Sequence, residues 1–525
     1  MSRERPGGPP PRSIGRSTAI FAGWTGVSRV AGLAREILAA AIFGTQGSIA
    51  AFVIAFQVPN FLRSLVADSA LSAAFVPVFT ELEEQGRRRE AQRLAGALIG
   101  VITLGLGAIT LIAILAAPWI MPVLAPGLSP ELVDETVRLA QIMFPIVVLL
   151  GLTGLVAAIL QASGQFGATA FAPVLWNVVI IVGLAAVTPL VADDDRITVY
   201  AVAIVVGTTV QLLYLLPSLR GKGPFPLSLG LANRHVRRVL ALMLPVTLGL
   251  GLINVNLLVD GAFASLVSDG SVRAIDAAFR LYLLPQGIFS VAIATVLFPT
   301  ISRLAARDDL AGMRRTLASG LRQIFFMLLP ASAFLLVLAE PVVRLTFQRG
   351  EWDAASTALT SEALVFFAVG LAFNGASLLV IRTFFSLQLP WLATRVAVLG
   401  VVLNAALNAA FYKPLGTGGI PLSTSISSAV TFAVMLYLLE RELGGLHGAW
   451  VVDGAMRSLV ASAVSVLLAW SSWRVLDDAL GRSVGAQLVS MGVAVTAATF
   501  AYVAAAQAFQ MPELSALSRL GRPLR

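Results

Sequence analysis

Arg29, Arg35 and Arg63 stand inside two long apolar stretches, SRVAGLAREILAAAIFG at 28–44 and IAAFVIAFQVPNFLRSLVADSALSAAFVP at 49–77, and Arg280 stands inside a third. Near a bilayer centre each charged side chain costs about 2.5 to 3.5 kcal/mol, so the first three arginines together demand roughly 8 to 10 kcal/mol from their apolar neighbours. Arginines retained against that cost point to a wet cavity, where the planar guanidinium fork suits bidentate binding of phosphate. The structural alternative is that they snorkel to an interface or pair with Glu36, Asp68 and Asp276. Arginine outnumbers acid in these spans, which argues against complete pairing.

Helix geometry separates the first two arginines. Six residues place Arg29 and Arg35 about 120° apart around a straight helix and about 9 Å along it, so they share a face only if the helix bends at Gly26 or Gly32 or the cavity wraps around it. In the second stretch Pro59 lacks an amide hydrogen and frees the carbonyl of Ala55, so Pro59-Asn60 reads as a kink beside water, with Arg63 one turn later. A second polar set comprises Asp260 in NVNLLVDGAF, Asn404 and Asn408 one turn apart, and Thr424. These oxygens suit sodium, and an intramembrane Asp can equally take a proton; interhelical hydrogen bonding is the structural alternative. The two histidines, His235 and His447, lie far apart, cysteine is absent, and GKGP at 221–224 lacks the spacing of a phosphate loop, so no catalytic centre or structural metal is expected.

The elements that must hold these groups are membrane spans. The 525 residues are 57% hydrophobic and 12% charged, with mean hydropathy +0.86. The net charge of +9 resides in short loops, the distribution that orients helices in a bilayer rather than one that binds nucleic acid. Fourteen apolar segments are long enough to span: 17–43, 48–80, 93–124, 135–162, 167–191, 196–218, 238–267, 272–303, 315–347, 358–387, 391–412, 418–440, 454–475 and 485–508. Basic loops alternate with acidic ones, which predicts both termini in the cytoplasm. Residues 1–16 read as a disordered cytoplasmic tail and 509–525 as a second tail.

Pro77 and Pro299, Pro118 and Pro341, and Tyr214 and Tyr437 are each separated by 222 or 223 residues. That shift predicts two six-helix lobes of the same membrane orientation, 17–220 and 234–445, with a substrate path between them and alternating access by rocking. The last two segments, at 454–508, fall outside the repeat and suit a lipid-facing addition or a lipid-tail groove. The fold class expected is therefore an all-α polytopic membrane protein of about fourteen transmembrane helices, two parallel six-helix lobes plus a C-terminal pair.

The motifs SRVxGxxRE at 28–36, IFG at 42–44, AFxxAFxxPNxLR at 51–63, ALSxAFVPV at 70–78, AAPW at 116–119 and FAPVLxN at 171–177 resemble the MurJ (MviN) family. Its members are lipid II flippases of the multidrug/oligosaccharidyl-lipid/polysaccharide exporter superfamily, and the resemblance covers about residues 17–445. It implies a multi-pass protein of the bacterial cytoplasmic membrane that moves undecaprenyl-pyrophosphate-linked muropeptide outward, with the C-terminal pair forming a groove for the lipid tail. It also implies roles in the central cavity for Ser28, Arg29, Arg35, Asn60, Arg63, Asp68 and Arg280, and an ion site resembling Asp260, Asn404, Asn408 and Thr424. Departures from the family pattern are Ala50, Gln57, Phe279 and Leu283, which make the cavity less acidic or alter its charge, and Asn408 where an Asp can occur. A monomer working with membrane lipid, coupled to sodium or protons and in contact with cell-wall synthesis enzymes, is the expected setting. The rival readings are an exporter of another polyprenyl-pyrophosphate-linked oligosaccharide, and a membrane glycosyltransferase or scaffold in cell-wall synthesis. Outer loops of about 4 to 14 residues are those of connectors and leave little room for a catalytic domain.

Overall fold

The computed structural model describes the backbone of residues 11–66, 69–226, 228–230 and 233–514, and the side chains of the same residues except 11–22, 64–66, 69–70, 72–73 and 244–253. These residues form eighteen α-helices and no strand. In order they are α1 (Pro11–Phe43), α2 (Ser48–Val66), α3 (Ser69–Glu84), α4 (Arg88–Leu124), α5 (Pro130–Met143), α6 (Ile146–Ala162), α7 (Gly167–Val182), α8 (Arg196–Leu215) and α9 (Arg234–Val267). They continue with α10 (Asp269–Pro285), α11 (Val291–Ala305), α12 (Leu310–Val337), α13 (Ala339–Phe347), α14 (Ala354–Ser386), α15 (Pro390–Phe411), α16 (Gly416–Leu443), α17 (Gly448–Leu480) and α18 (Val484–Ala508). Helix α1 is already wound at Pro11, six residues earlier than the expected start at 17; residues 1–10 of the expected tail, and 515–525, lie outside the described residues.

Eighteen helices arise from fourteen apolar segments because four segments are each described as two helices. Pro145, between α5 and α6, has no amide to give the preceding turn, and Pro341 sits in the first turn of α13, where that lack is tolerated, so the chain divides at Leu338. α10 and α11 are joined through a π-helical turn, Gln286–Ser290, and α2 and α3 are described on either side of residues 67–68, which lie outside the described residues. Among the described residues eleven stretches are long and apolar enough to cross a membrane. The other three expected segments, 17–43, 48–80 and 238–267, run through residues outside the described side chains, and two of them appear as the shorter apolar helices Ser48–Arg63 and Asn254–Val267.

Helix starts follow ordinary capping chemistry. The Ser129 hydroxyl accepts from the Leu132 amide ahead of Pro130, and the Asp309 and Asp353 carboxylates accept from the amides of Gly312 at 2.8 Å and Ser356 at 2.7 Å. α16 ends on Gly444 at φ 70°, the left-handed conformation that glycine adopts without strain.

The chain divides into two compact units, Met1–Ala262 and Phe263–Arg525. In the first, α1 packs on α7, α2 on α5, and α6 on α3, α4 and α8; one of its cores gathers Leu71, Phe75, Leu94, Leu98 and Ile159. The division falls inside α9 rather than in the loop before it. The start of α9 belongs to the first unit because Val236, Val239 and Met243 enter that core and Arg238 reaches Glu81 at 2.9 Å.

In the second unit α14 packs on α10, α12 and α16, and α17 and α18 are fastened to it through α12 and α13. Two buried arginines do the fastening. Arg322 of α12 pairs with Glu513 and lies 4.2 Å from the Trp450 ring, and Arg344 of α13 pairs with Asp477 and lies 5.7 Å from the Trp473 ring. All four ionic side chains are buried. Between the two clusters lies an apolar cavity of about 550 Å³, lined by Leu284, Phe326, Pro330, Phe334, Val495 and Tyr502 among others.

Losing one member of a buried pair strands the other, at a cost of about 3 to 5 kcal/mol, whereas removing both strands nothing. Glu513→Leu is therefore expected to lower the thermal midpoint of the detergent-solubilised protein well below that of Arg322→Met/Glu513→Leu, measured side by side. Asp353 gives a milder effect outside the membrane-spanning segments: hydrogen bonding from the Ser356 backbone and side chain holds its carboxyl below the usual range. A lowered folded pKa contributes stability that is present above the unfolded value and lost as pH falls through the folded one. Asp353→Ala should cost about 1 kcal/mol at neutral pH, and the difference from the parent protein should shrink below about pH 4 in a pH series of melting curves.

Candidate functional site

In the first unit, α1 presents its two arginines differently, as their angular separation requires. Arg29 is exposed and makes no ion pair among the described residues. Arg35 is buried; one guanidinium nitrogen lies 2.6 Å from Glu36 Oε1, and the group sits 4.6 Å above the ring of Trp176 on α7. Trp176 is in turn fixed by an indole N–H bond to the Thr208 hydroxyl at 3.1 Å. Arg35 thus takes the structural role weighed for it, charge pairing, with aromatic stacking added. Its Nε–H is buried without an acceptor.

Ser28 meets the site through its backbone: the side-chain amide of Asn177 donates to the Ser28 carbonyl at 3.4 Å and to the Pro173 carbonyl at 3.0 Å. Asn177 thereby bridges α7 to α1, in ordinary contact with Gly32. On α2, which runs through Pro59 as one helix, Asn60 Oδ1 accepts from Nε and Nη2 of Arg63 at 3.0 and 2.9 Å and so aims the guanidinium one turn on. Asp68 lies outside the described residues. Gln57 packs against Gly261, beside buried Asp260, whose carboxylate accepts from the Asn256 amide at 3.5 Å.

In the second unit, Arg280 binds Asp276 at 3.0 Å, and Asp276 is shared with Arg273 at 2.8 Å. One carboxylate serves two guanidiniums, so this trio carries a net positive charge. Arg273 is buried (3% exposed) while Arg280 is 38% exposed, which makes Arg280 the member that an incoming anion can reach. Phe279 and Tyr282 stack on Phe367 of α14 at 5.5 and 5.4 Å and hold this face of α10 in place. Asn404 and Asn408 are fully buried on α15, and the Thr424 hydroxyl lies 3.4 Å from Asn404 Oδ1. These neutral oxygens fit a monovalent cation better than a divalent one, which would require carboxylates. Among the described residues no group of three or more His, Cys, Asp or Glu is placed to hold a metal. The expected ion set is divided between the units, Asp260 in the first and the other three residues in the second.

Sequence reading missed Arg273, Trp176, Asn177 as a bridge, and the pair Arg322 and Arg344. The three arginines carried the signal used for Arg29, a charge inside an apolar run, and spacing of three and four residues around Asp276 marked Arg273 as its partner. Nothing in the sequence alone ties Trp176 to Arg35, 141 residues away.

Comparison with known proteins agrees with this geometry. A family model described as "Lipid II flippase MurJ" matches residues 39–480. A lipid II flippase MurJ of Burkholderia cenocepacia is 32% identical over 82% of this chain and 84% of its own length, and a probable lipid II flippase MurJ of Vibrio cholerae is 30% identical over 91% and 94%. Among solved structures, a lipid II flippase MurJ in an inward closed conformation superposes with a TM-score of 0.77 over 94% of this chain and 98% of that one, at 22% identity. An inward-facing multidrug transporter of the MATE family and MOP superfamily gives 0.69 over 80% and 96%, at 16% identity. A flippase-type fold of apolar helices carrying arginines, together with a family match over most of the length, leads to one assignment: this chain belongs to the MurJ lipid II flippase family.

Proposed function

We propose that the chain moves lipid II, a polyprenyl-pyrophosphate-linked muropeptide, from the inner to the outer leaflet of the bacterial cytoplasmic membrane by alternating access. No covalent bond changes, so the work is binding and release of an anionic headgroup. The observation that carries this reading is the division among intramembrane arginines. Arg35, Arg273, Arg322 and Arg344 are buried against carboxylates, whereas Arg29 is exposed and Arg280, although paired with Asp276, remains 38% exposed. Exposed cations on apolar helices suit a pyrophosphate, and Arg63, aimed by Asn60, is the third donor. The apolar cavity beside α17 and α18 suits the polyprenyl tail, because its walls are hydrocarbon along the length between the two arginine clusters. Fourteen spans in two parallel lobes, with both termini in the cytoplasm, follow from the loop charges and the repeat. Asn404, Asn408 and Thr424 are proposed to hold sodium, and Asp260 is the protonatable alternative.

The deciding experiment is rescue of cells depleted of their own lipid II flippase, read as lipid II in the outer leaflet. Rescue is expected; failure with normal membrane expression would assign another lipid-linked substrate or a scaffold role. Arg29→Ala and Arg280→Ala should each lower flipping about tenfold or more, the weight of a charge-assisted bond, while the proteins still insert; wild-type rates in both would sink the pyrophosphate site. Arg280→Lys should recover only part of the loss, since an ammonium lacks the bidentate fork.

Sodium coupling has a separate test. In proteoliposomes an inward sodium gradient should raise flipping at fixed potential, and sodium should protect the purified protein against thermal unfolding. Asn404→Leu should remove the thermal shift with sodium; a shift that persists would place the ion elsewhere.

A further inference from the structure

The π-helical turn Gln286–Ser290 lies in the apolar segment that carries Arg280, six residues downstream of it. A π turn absorbs one more residue than an α turn would, and such turns recur at functional positions. If the same residues wound as α-helix, everything upstream would turn by about 100° and move about 1.5 Å along the axis relative to α11. α11 packs on α12 and α14 and α10 packs on α14, so the change would turn α10, with Arg273, Asp276 and Arg280, relative to α11 and force its face to repack on α14.

The turn is held by a specific set of contacts. Gln286 is buried, and its amide donates to Asn374 Oδ1 of α14 at 2.5 Å; the Asn374 amide donates to Ser428 of α16 at 3.3 Å. On the next residue of α14, a Cβ at Gly375 would stand 2.3 Å from the Ser290 hydroxyl oxygen and 2.2 Å from Leu328 Cδ1, so any larger residue there must displace one of these side chains for α14 to stay this close to the turn. Against these contacts, Gln286 Oε1 and the fully buried Ser290 hydroxyl have no hydrogen-bond partner. Unsatisfied buried groups destabilise the state that holds them, so the wide turn depends on its neighbours rather than on itself.

We propose that Gln286, Asn374 and Gly375 are positioning residues: by holding the π turn against α14 they set the face of α10 on which Arg280 presents its guanidinium. The proposal rests on the reading of Arg280 as a ligand of the pyrophosphate. It makes the angle of that ligand a property of one polar contact outside the anion site.

The chain contains no cysteine, so single thiols report the angle of α10 directly. Leu284 is 47% exposed and Leu281 is 5% exposed. In an otherwise unaltered chain, Leu284→Cys should react with a lipid-soluble maleimide much faster than Leu281→Cys. Gln286→Leu should bring the two rates to within about threefold as α10 turns, and should lower flipping about tenfold. Deleting Gly287 in the Gln286→Leu chain removes the extra residue, so an ordinary α-helix carries Arg280 at its original angle; labelling contrast and flipping should both return. Deletion of Gly287 alone should preserve both. An unchanged labelling contrast in Gln286→Leu, or a folded Gly287 deletion in which the contrast is lost, overturns the proposal. Turned labelling with wild-type flipping would uphold the positioning role and overturn the reading of Arg280 as a pyrophosphate ligand.

Discussion

A guanidinium inside an apolar helix bundle must be met by an anion or by water, because leaving it in hydrocarbon costs several kcal/mol. Carboxylates meet it in four places here: Glu36 beside Arg35, Asp276 between Arg273 and Arg280, Glu513 on Arg322 and Asp477 on Arg344. Three of the four also set an aromatic ring against the guanidinium, Trp176, Trp450 and Trp473, which adds attraction without adding charge. These pairs fix helices to one another. Arg29 differs from these paired arginines in being exposed and making no ion pair among the described residues.

The same constraint acts on the backbone. Each carbonyl freed by a proline or by a widened turn needs a partner or a wet surface. The chain places its mid-helix prolines and its widened turn close to polar residues: Pro59 directly before Asn60, Pro173 four residues before Asn177, and the π turn after Arg280. Asn177 shows one way a polar group is met in such an interior, because its side-chain amide serves the carbonyl of Pro173 on its own helix and that of Ser28 on another. Irregular backbone and polar side chains therefore come together because both need the same departure from a dry, regular interior.

Much of this was legible in the sequence. Apolar length gave the helices and loop charge gave a consistent alternation, and isolated arginines stood out against apolar runs, because hydrophobicity and charge are local properties. What was not legible depends on where side chains go. Arg35 pairs with its immediate neighbour Glu36, although adjacent residues on a helix do not normally face each other; the long arginine side chain folds back, and Trp176 covers it. The breaks within apolar segments, at Pro145, at Leu338 and at the π turn, were equally hidden, since proline is tolerated in some turns and not in others, and no composition marks a π turn. Arg322 and Arg344 carried the same signal as Arg29, yet their partners lie 191 and 133 residues away, a pairing that only the fold supplies.

The two buried pairs at the C-terminal helices also explain how an apolar cavity persists between packed helices. Trp450 and Trp473 are 23 residues apart on α17, about 35 Å at 1.5 Å per residue, close to the thickness of a bilayer's hydrocarbon core plus its edges. The clusters therefore fall near the two membrane interfaces, where tryptophan is favoured. Dispersion alone would pull α18 onto α12 and fill the gap, since close packing gains contacts at every point. Ion pairs at the two ends act differently: they fix the separation there and contribute nothing to closing the middle. Leu284, Phe334 and Val495 are thus held facing a space they do not fill.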